Sequence, residues 1–183
     1  MKSFTVWFTG LPCSGKTTLA TFLYNHLLQQ GIANVELLDG DVVRQYLTRG
    51  LGFTKQDRDE NIRRIGWLSR MLNKHGVNTI VAAISPYRDV REEQKKLIGN
   101  FFEIYVNCPV EICEQRDVKG MYKKAREGSI PHFTGVNDPY EEPLTPNLII
   151  ETDKLSIDKS FMVLLTALLE KSFLGKSGKY YRV

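Results

Sequence analysis

Residues 10–17 read Gly-Leu-Pro-Cys-Ser-Gly-Lys-Thr, and they constrain the fold of this chain more than any other segment. The segment matches the pattern G-x-x-x-x-G-K-[ST] at every fixed position. An apolar run from Phe4 to Thr9 precedes it, and a helical pattern from Lys16 to Gln30 follows. In such a strand–loop–helix setting, backbone N–H groups surround phosphate oxygens at a helix N-terminus, where the helix dipole also favours an anion. The sequence therefore predicts a nucleoside triphosphate site.

Two residues at the end of this loop carry the chemistry that the motif implies. Lys16 is expected to reach the β- and γ-phosphates, and the Thr17 hydroxyl is expected to ligate Mg²⁺. The alternative is a glycine turn that merely opens an ordinary helix, and the strand–loop–helix context argues against it. The other residues assigned to the nucleotide site are Gly10, Leu11, Pro12, Cys13, Ser14, Gly15 and Thr18.

Length and composition indicate one domain. The 183 residues suit a single compact domain, predicted over residues 1–183, and are few for two. The net charge of +4 is mild, and no run of Lys or Arg indicates a nucleic-acid surface. Cys13, Cys108 and Cys113 lack CxxC spacing, which favours reduced thiols. Because there is no long apolar run and no room for a signal peptide, we expect a cytoplasmic protein without nucleic-acid or membrane partners.

Strand-like and helix-like periodicity alternates along the chain. This alternation is typical of an α/β fold in which helices flank a mostly parallel sheet, and together with the loop it predicts a P-loop NTPase fold. Residues 117–147 are charged, contain Gly and Pro, and lack a period, so a segment of this length indicates a lid. The predicted strands are 4–9, 35–38, 77–84, 102–106 and 148–150, and the predicted helices are 16–30, 41–48, 55–75, 88–98, 110–116 and 156–171.

Polar residues follow the predicted strands at the end where ligands of open α/β sheets bind. Asp39 and Asp41 follow the second strand, and Ser85 follows the third. Phosphoryl transfer needs a carboxylate near Mg²⁺ and a group that orients or deprotonates the attacking hydroxyl, and either aspartate could serve. The alternative that Asp41 caps the next helix would explain one of these residues but not both.

Basic and aromatic side chains are predicted at the same end of the sheet. Arg58 and Asn61 lie three residues apart on a helix and so share a face, and Arg44 could face the same cavity. One guanidinium group can donate two parallel hydrogen bonds to the oxygens of a phosphate or sulfate group. Phe53 and Phe133 are loop aromatics that either anchor a small core or stack on a base. The predicted lid also carries five positively charged side chains, which form either a solvated face or contacts with the triphosphate. They are Arg116, Lys119, Lys123, Lys124 and Arg126.

Several short sequence blocks follow one another along the chain. Together, in this order, they indicate a protein family far more specifically than any one block does. They are Trp7–Leu11, Leu38–Arg44, Leu51–Phe53, Asp57–Gly66, Ile84–Arg88, Arg116–Gly120, Phe133–Val136 and Asp138–Glu141. With these blocks the chain resembles the adenylyl-sulfate kinase family over residues 7–150. The resemblance implies ATP-dependent phosphorylation of the ribose 3′-hydroxyl of adenylyl sulfate, with Mg²⁺. Family members are often homodimers, although these residues identify no interface.

The resemblance also implies a role for each matching residue. Arg116 would complete the ATP site, and Asp41, or else Asp39, would lie beside the 3′-hydroxyl and Mg²⁺, with Thr17 and Asp41 as metal ligands. Ser85 matches a serine described in the family as a phosphoryl-enzyme intermediate, but its segment holds no activating base, so direct in-line transfer is expected. Arg44, Arg58 and Asn61 would grip the phosphosulfate, and Phe53 and Phe133 would sandwich the adenine. The implied acceptor site also includes Ile84, Ser85, Lys119, Thr134 and Gly135, and the implied catalytic set is Lys16, Asp39, Asp41 and Ser85.

Two other functions share part of this pattern. Another P-loop nucleoside or nucleotide kinase would have the same loop, lid and sheet, but its acceptor would lack the sulfate that the arginines suit. A GTPase-like switch would need an N-K-x-D segment to read guanine, and residues 73–76, Asn-Lys-His-Gly, lack the aspartate. The acceptor therefore distinguishes the first alternative, and the sequence argues against the second.

Overall fold

The computed structural model describes residues 3–174, so the ends of the predicted domain, residues 1–2 and 175–183, lie outside the described residues. Its sheet order is β2-β3-β1-β4-β5, and all neighbouring strands are parallel. This confirms the predicted parallel α/β architecture. With β1 at the centre, the phosphate loop leaves the middle of the sheet. The strands are β1 (Thr5–Thr9), β2 (Val35–Asp39), β3 (Asn78–Ala82), β4 (Phe101–Asn107) and β5 (Leu148–Glu151).

Helices surround this sheet, and all but one of them were predicted to within two residues. The described part of the chain contains α1 (Lys16–Gln29), α2 (Gly40–Tyr46), α3 (Lys55–Lys74), α4 (Arg88–Ile98), α5 (Val110–Arg116), α6 (Met121–Arg126) and α7 (Ile157–Glu170). The exception is α6, which lies inside the segment 117–147, so the expectation of a wholly irregular lid was wrong. Within residues 3–174, no helix combines the length and apolar character that crossing a membrane requires.

Helix α6 forms because it has a small core of its own. Tyr122 and Ala125 are buried with Cys113 and Phe133. The Tyr122 and Phe133 rings meet edge to face, with centroids 5.0 Å apart. The Asp117 carboxylate accepts hydrogen bonds from two N–H groups in the first turn, at 3.1 Å each. Six residues are too few to show a helical period, so tertiary contacts determine this helix.

Alternate residues of β1 supply the cores on the two faces of the sheet. Val6 and Phe8 are fully buried in a cluster with side chains of α1 and α7. Trp7 faces the opposite side, where α3 and α4 pack, and its ring lies 5.5 Å from that of Phe101. Helices thus cover both faces of the sheet, which explains why β1 is buried along its whole length. A ligand therefore reaches the sheet at the strand ends, where the loops lie.

Helix α3 begins and ends where the sequence carries its signals. Thr54 and Asp57 form a reciprocal capping box at its start. Just past its end, Gly76 has a φ of +81°, a conformation that glycine adopts without a steric penalty. The apolar stripe between these points packs into the core and consists of Ile62, Ile65, Leu68 and Leu72.

Gly66 packs so closely against α4 that alanine should destabilise the protein. A Cβ there would lie 2.0 Å from Gln94 Oε1 and 2.9 Å from Gln94 Cγ, and Gln94 is fully buried. Alanine favours a helix over glycine by about 1 kcal/mol, but overpacking a core costs about 1–3 kcal/mol. We expect Gly66→Ala to lower the free energy of unfolding by about 1 kcal/mol in urea titrations. In a Gln94→Ala background the same change should cost nothing, and an equal loss in both backgrounds would contradict this packing.

Candidate active site

The carboxyl ends of β1, β2 and β3 open into one cavity of about 820 Å³. The phosphate loop and the start of α3 form its walls, and the lid contributes residues from 118 to 134. This position is the one expected of a ligand site in an open α/β sheet. The predicted site residues that line the cavity are Pro12, Cys13, Gly15, Lys16, Thr17, Thr18, Asp39, Asp41, Arg44, Phe53, Arg58, Asn61, Ile84, Ser85, Arg116, Lys119, Phe133 and Thr134.

The other predicted site residues do not line this cavity but support the phosphate loop that forms its wall. A Cβ on Gly10 would lie 2.5 Å from the carbonyl oxygen of Val106, so only glycine lets the loop approach β4. Ser14 is fully buried beneath the loop. Leu11 and Gly135 line a second cavity of about 520 Å³ on the other side of the loop. In this structure these residues hold the phosphate loop against β4 and the lid.

Lys16 folds back over the phosphate loop. Its Nζ donates a hydrogen bond of 2.6 Å to the Leu11 carbonyl oxygen, and its side chain is largely buried. Burial lowers the pKa of Lys16 to about 8, and the negative charges of Asp39 and Asp41 are among the influences that oppose this shift. A cation with little hydration interacts strongly with an anion that reaches it. Lys16 is therefore placed and prepared to bind phosphate oxygens.

Arg116 fastens the phosphate loop to the segment after β5. Its guanidinium donates to the Thr152 carbonyl oxygen at 2.7 Å and lies 3.4 Å from the carbonyl oxygens of Cys13 and Ser14. The Thr152 hydroxyl completes this junction with a 2.7 Å bond to the Ser14 carbonyl. Thr152 was not predicted, although it directly follows a strand and the strand-end rule that selected Asp39 could have found it.

The two aspartates after β2 have different surroundings. Asp39 caps α2, since its carboxylate accepts the N–H of Asp41 at 2.9 Å and the Thr17 hydroxyl at 2.8 Å. The alternative in which Asp41 is the helix cap was therefore wrong. The Asp41 side chain is 67% exposed and forms an ion pair with Lys119 of the lid. The hydroxyl of Thr17 thus lies beside Asp39, whereas Asp41 lies nearer the lid.

Arg44 and Arg58 hold the loop that carries Phe53. Arg44 donates to the Gly52 carbonyl at 3.0 Å, and Arg58 donates to the Phe53 carbonyl at 2.9 Å and to the carbonyl of His132 in the lid. Their guanidinium carbons lie 4.5 and 5.5 Å from the centre of the Phe53 ring. Burial lowers the pKa of both arginines, and the charge of Arg58 adds to the shift of Arg44. Two like charges held together in this way favour an anionic ligand.

The remaining acceptor candidates present both polar and flat surfaces to the cavity. Asn61 Oδ1 accepts the Thr48 hydroxyl at 2.7 Å, so the amide nitrogen is the group that Asn61 can offer to a ligand. Phe53 is 47% exposed, whereas Phe133 is 8% exposed. The Thr134 hydroxyl is buried and has no hydrogen-bond partner within residues 3–174. The arginines, the amide and the aromatic residues that the sequence analysis grouped together therefore line the same cavity.

Ser85 is placed for structure rather than for nucleophilic attack. It is 1% exposed, its φ is +48°, and its hydroxyl accepts a 2.9 Å bond from the Trp7 indole N–H. A serine nucleophile needs an adjacent base, and among the described residues its hydroxyl has hydrogen bonds only to Trp7 and to the Ala83 carbonyl. Direct in-line transfer without a covalent intermediate stays a prediction.

These elements define the class of protein. A phosphate loop faces a second basic compartment with aromatic walls, and a lid borders both. A lid at this position can close over the cavity and exclude water, which suits transfer to an acceptor rather than hydrolysis. The fold and site are those of a P-loop phosphotransferase.

Comparison with known proteins gives the family within this class. Residues 2–151 match the sequence profile of adenylylsulphate kinase. An adenylyl-sulfate kinase from Synechococcus sp. (strain JA-2-3B'a(2-13)) is 51% identical, over 94% of this chain and 98% of that protein. One from Halothermothrix orenii is 50% identical, over 95% of this chain and 94% of that protein. The Mycobacterium tuberculosis APS kinase, in complex with AMPPNP and APS, has a TM-score of 0.85 and 40% identity, covering 91% of this chain and 98% of that chain. This chain belongs to the adenylyl-sulfate kinase family and is a P-loop kinase.

Proposed function

We propose that the chain transfers the γ-phosphoryl group of ATP to the ribose 3′-hydroxyl of adenylyl sulfate, giving ADP and 3′-phosphoadenylyl sulfate. The observation that carries this proposal is one cavity that joins the phosphate loop to a compartment with two arginines, the buried Arg58 and the half-buried Arg44, and two phenylalanines. An acceptor with adenine at one end and phosphosulfate at the other matches that compartment. The relatives' names and the complex with AMPPNP and APS support the same reaction.

The phosphate loop and Lys16 bind the donor. The backbone N–H groups around residues 10–17 donate hydrogen bonds to the phosphates of ATP, and Lys16 exchanges its bond with the Leu11 carbonyl for one with a phosphate oxygen. As the transferring group moves, its charge spreads over the oxygens that Lys16 contacts. Arg116 keeps the loop in this shape through its bonds with the segment after β5.

A magnesium ion suits the oxygen ligands at the start of α1 and the end of β2. Thr17 Oγ1 and Asp39 Oδ2 lie 2.8 Å apart, and Mg²⁺ prefers such hydroxyl and carboxylate oxygens together with phosphate oxygens. Bound there, Mg²⁺ would neutralise charge on the phosphates. In the described part of the chain, no group of three or more His, Cys, Asp or Glu could hold a metal. Because Thr17 contacts Asp39 whereas Asp41 pairs with Lys119, we assign Thr17 and Asp39 to the ion in place of the expected pair of Thr17 and Asp41, and we assign Asp41 to the acceptor.

Asp41 orients the attacking hydroxyl. Its carboxylate is exposed to the cavity and pairs with Lys119 of the lid. A movement of the lid would therefore also move this carboxylate. A carboxylate beside the 3′-hydroxyl can accept its proton or hold it in line with the γ-phosphorus. Arg44, Arg58 and Asn61 fix the opposite end of the acceptor, which places the hydroxyl at a set distance from the donor.

We also propose that the protein acts in the cytoplasm. Its cysteines, Cys13, Cys108 and Cys113, are all free thiols, as reducing compartments favour. Fractionation of source cells with an antibody against the protein tests this location, and recovery in an extracellular or membrane fraction would contradict it.

Phe53→Ala should weaken acceptor binding far more than donor binding. The ring lines the cavity beside the two arginines, and base–aromatic stacking is worth about 1–3 kcal/mol per base. We expect the KM for adenylyl sulfate to rise about tenfold and the KM for ATP to change little. Phe22→Ala is the control, because Phe22 is similarly exposed on α1 and lies outside the cavity wall. Equal changes in both KM values would remove Phe53 from the acceptor site.

Acceptor selection tests the proposed reaction. ADP release from MgATP is measured with adenylyl sulfate, with AMP, with other nucleoside monophosphates and without an acceptor. We expect turnover with adenylyl sulfate alone and 3′-phosphoadenylyl sulfate as its product. Turnover with a monophosphate would instead support the alternative of another P-loop nucleotide kinase.

A further inference from the structure

A buried ion pair lies beneath the cavity and has no role in the mechanism described so far. Arg91 of α4 and Glu103 of β4 are each 2% exposed, and Arg91 Nε lies 3.2 Å from Glu103 Oε1. Burial raises the pKa of Glu103, and the positive charge of Arg91 opposes that shift. Ion pairs this deeply buried seldom improve stability over apolar residues of the same size. Their other contacts therefore indicate what they do.

The remaining donors of Arg91 hold two segments of the active site. Its Nη1 donates to the carbonyl oxygen of Ser85, and its Nη2 donates to that of Glu141, both at 2.5 Å. Ser85 lies in the left-handed region with a φ of +48°, which serine adopts only where its surroundings impose it. Glu141 lies at the C-terminal root of the lid, where its N–H also donates to the Pro86 carbonyl at 2.8 Å.

An aromatic residue extends this network to the phosphate loop. The Arg91 guanidinium carbon lies 5.7 Å from the centre of the Tyr140 ring. The Tyr140 hydroxyl is 2.8 Å from Thr9 Oγ1, and Thr9 in turn donates to the Ile84 carbonyl at 2.7 Å. Thr9 directly precedes the phosphate loop, and Ile84 lines the cavity. Arg91 thus contacts Ser85 and the root of the lid directly, and it is linked through Tyr140 to Thr9 beside the donor site.

We propose that Arg91, neutralised by Glu103, is a positioning residue that holds the Ser85 turn and the root of the lid in the geometry needed for phosphoryl transfer. The inference rests on the proposed function. Arg91 does not line the cavity, so it acts on the acceptor through Ser85 and the lid. Its loss should weaken acceptor binding and turnover while leaving the contacts of Lys16 with ATP in place.

A charge-free replacement separates positioning from stability. Arg91→Met/Glu103→Leu removes both buried charges and fills the space with apolar atoms, so its unfolding midpoint should stay near that of the wild type. We expect its KM for adenylyl sulfate to rise about tenfold, kcat to fall, and the Kd for ATP to change by less than about threefold. A stable double variant with wild-type constants for adenylyl sulfate would overturn the proposal, as would an ATP Kd that rises by the same factor.

Two further variants keep the test decisive. Arg91→Lys retains the positive charge beside Glu103 but lacks the guanidinium fork that reaches two carbonyl oxygens. It should therefore show the same rise in the KM for adenylyl sulfate. If the double variant does not fold, this variant alone tests the proposal. The matched control is Arg63→Lys, because Arg63 pairs with Glu93 of α4 at 3.0 Å on the surface, and its constants should not change. Wild-type turnover with adenylyl sulfate tests the proposed function separately. If another acceptor proves active, the same ratios are measured with that acceptor.

Discussion

Lys16→Ala should lower kcat about 10²–10³-fold or more, with the fold intact. The variant removes the cation that the phosphate loop places against the β- and γ-phosphates, and no other described side chain donates from that position. Because Lys16 is poorly hydrated when ATP is absent, its removal should not lower the melting temperature. The measurement is steady-state ADP release at saturating MgATP and adenylyl sulfate, with a thermal melt of each variant.

Lys154→Ala provides the control for this result. Lys154 is an exposed lysine just after β5, paired with Glu151 at 2.6 Å, and it does not line the cavity. Its removal changes the net charge by the same amount and should leave kcat unchanged. A Lys16→Ala enzyme with a near wild-type rate would exclude the phosphate loop lysine from the mechanism.

Arg58→Ala should raise the KM for adenylyl sulfate about 100-fold, the second large effect that we expect. The side chain is 6% exposed and holds the carbonyls of Phe53 and His132, so its loss removes a charge and loosens both walls of the acceptor compartment. Hydrogen bonds to charged groups are worth about 1.5–3 kcal/mol each, and such a loss corresponds to this factor. The KM for ATP should change by less than about threefold, since Arg58 bonds to the carbonyls of Phe53 and His132 and not to the phosphate loop.

Arg64→Ala distinguishes this effect from a general loss of positive charge on α3. Arg64 lies on the same helix, is 43% exposed and pairs with Glu60 at 2.7 Å. Removing it should leave both KM values unchanged. Arg58→Lys should recover only part of the acceptor affinity, because an ammonium cannot bind two oxygens in the fork of a guanidinium. Parallel losses for ATP and adenylyl sulfate in Arg58→Ala would place Arg58 outside the acceptor site.

The sequence predicted most of the fold because its local signals agree with one another. The apolar run of β1 and the glycine after α3 each set a boundary that needs no distant contact. It also predicted that residues distant in sequence would line one cavity, as most of the predicted site residues do, since parallel strands open their carboxyl ends at the same edge. That argument needs only the order of strands and helices along the chain.

Other features were beyond local reasoning. Helix α6 spans six residues, and its stability comes from the packing of Tyr122 on Phe133 rather than from a period in the sequence. Thr152 enters the site only because Arg116 reaches across to it. Arg91 is one of many charged residues on the amphipathic helix α4, so the sequence does not single it out. It is buried because β4 places Glu103 beside it, and the sequence near Arg91 gives no information on the position of β4.

The sequence by itself determined the phosphate loop, the alternating strands and helices, and the set of residues that meet at one end of the sheet. It did so because motifs and periods are properties of neighbouring residues. Only the tertiary structure decided which aspartate lies beside Thr17 and which meets the lid, since Asp39 and Asp41 differ by two positions in sequence but by their partners in space. The same holds for Arg91 and Glu103, whose charges are tolerable in the interior only because the fold brings them together.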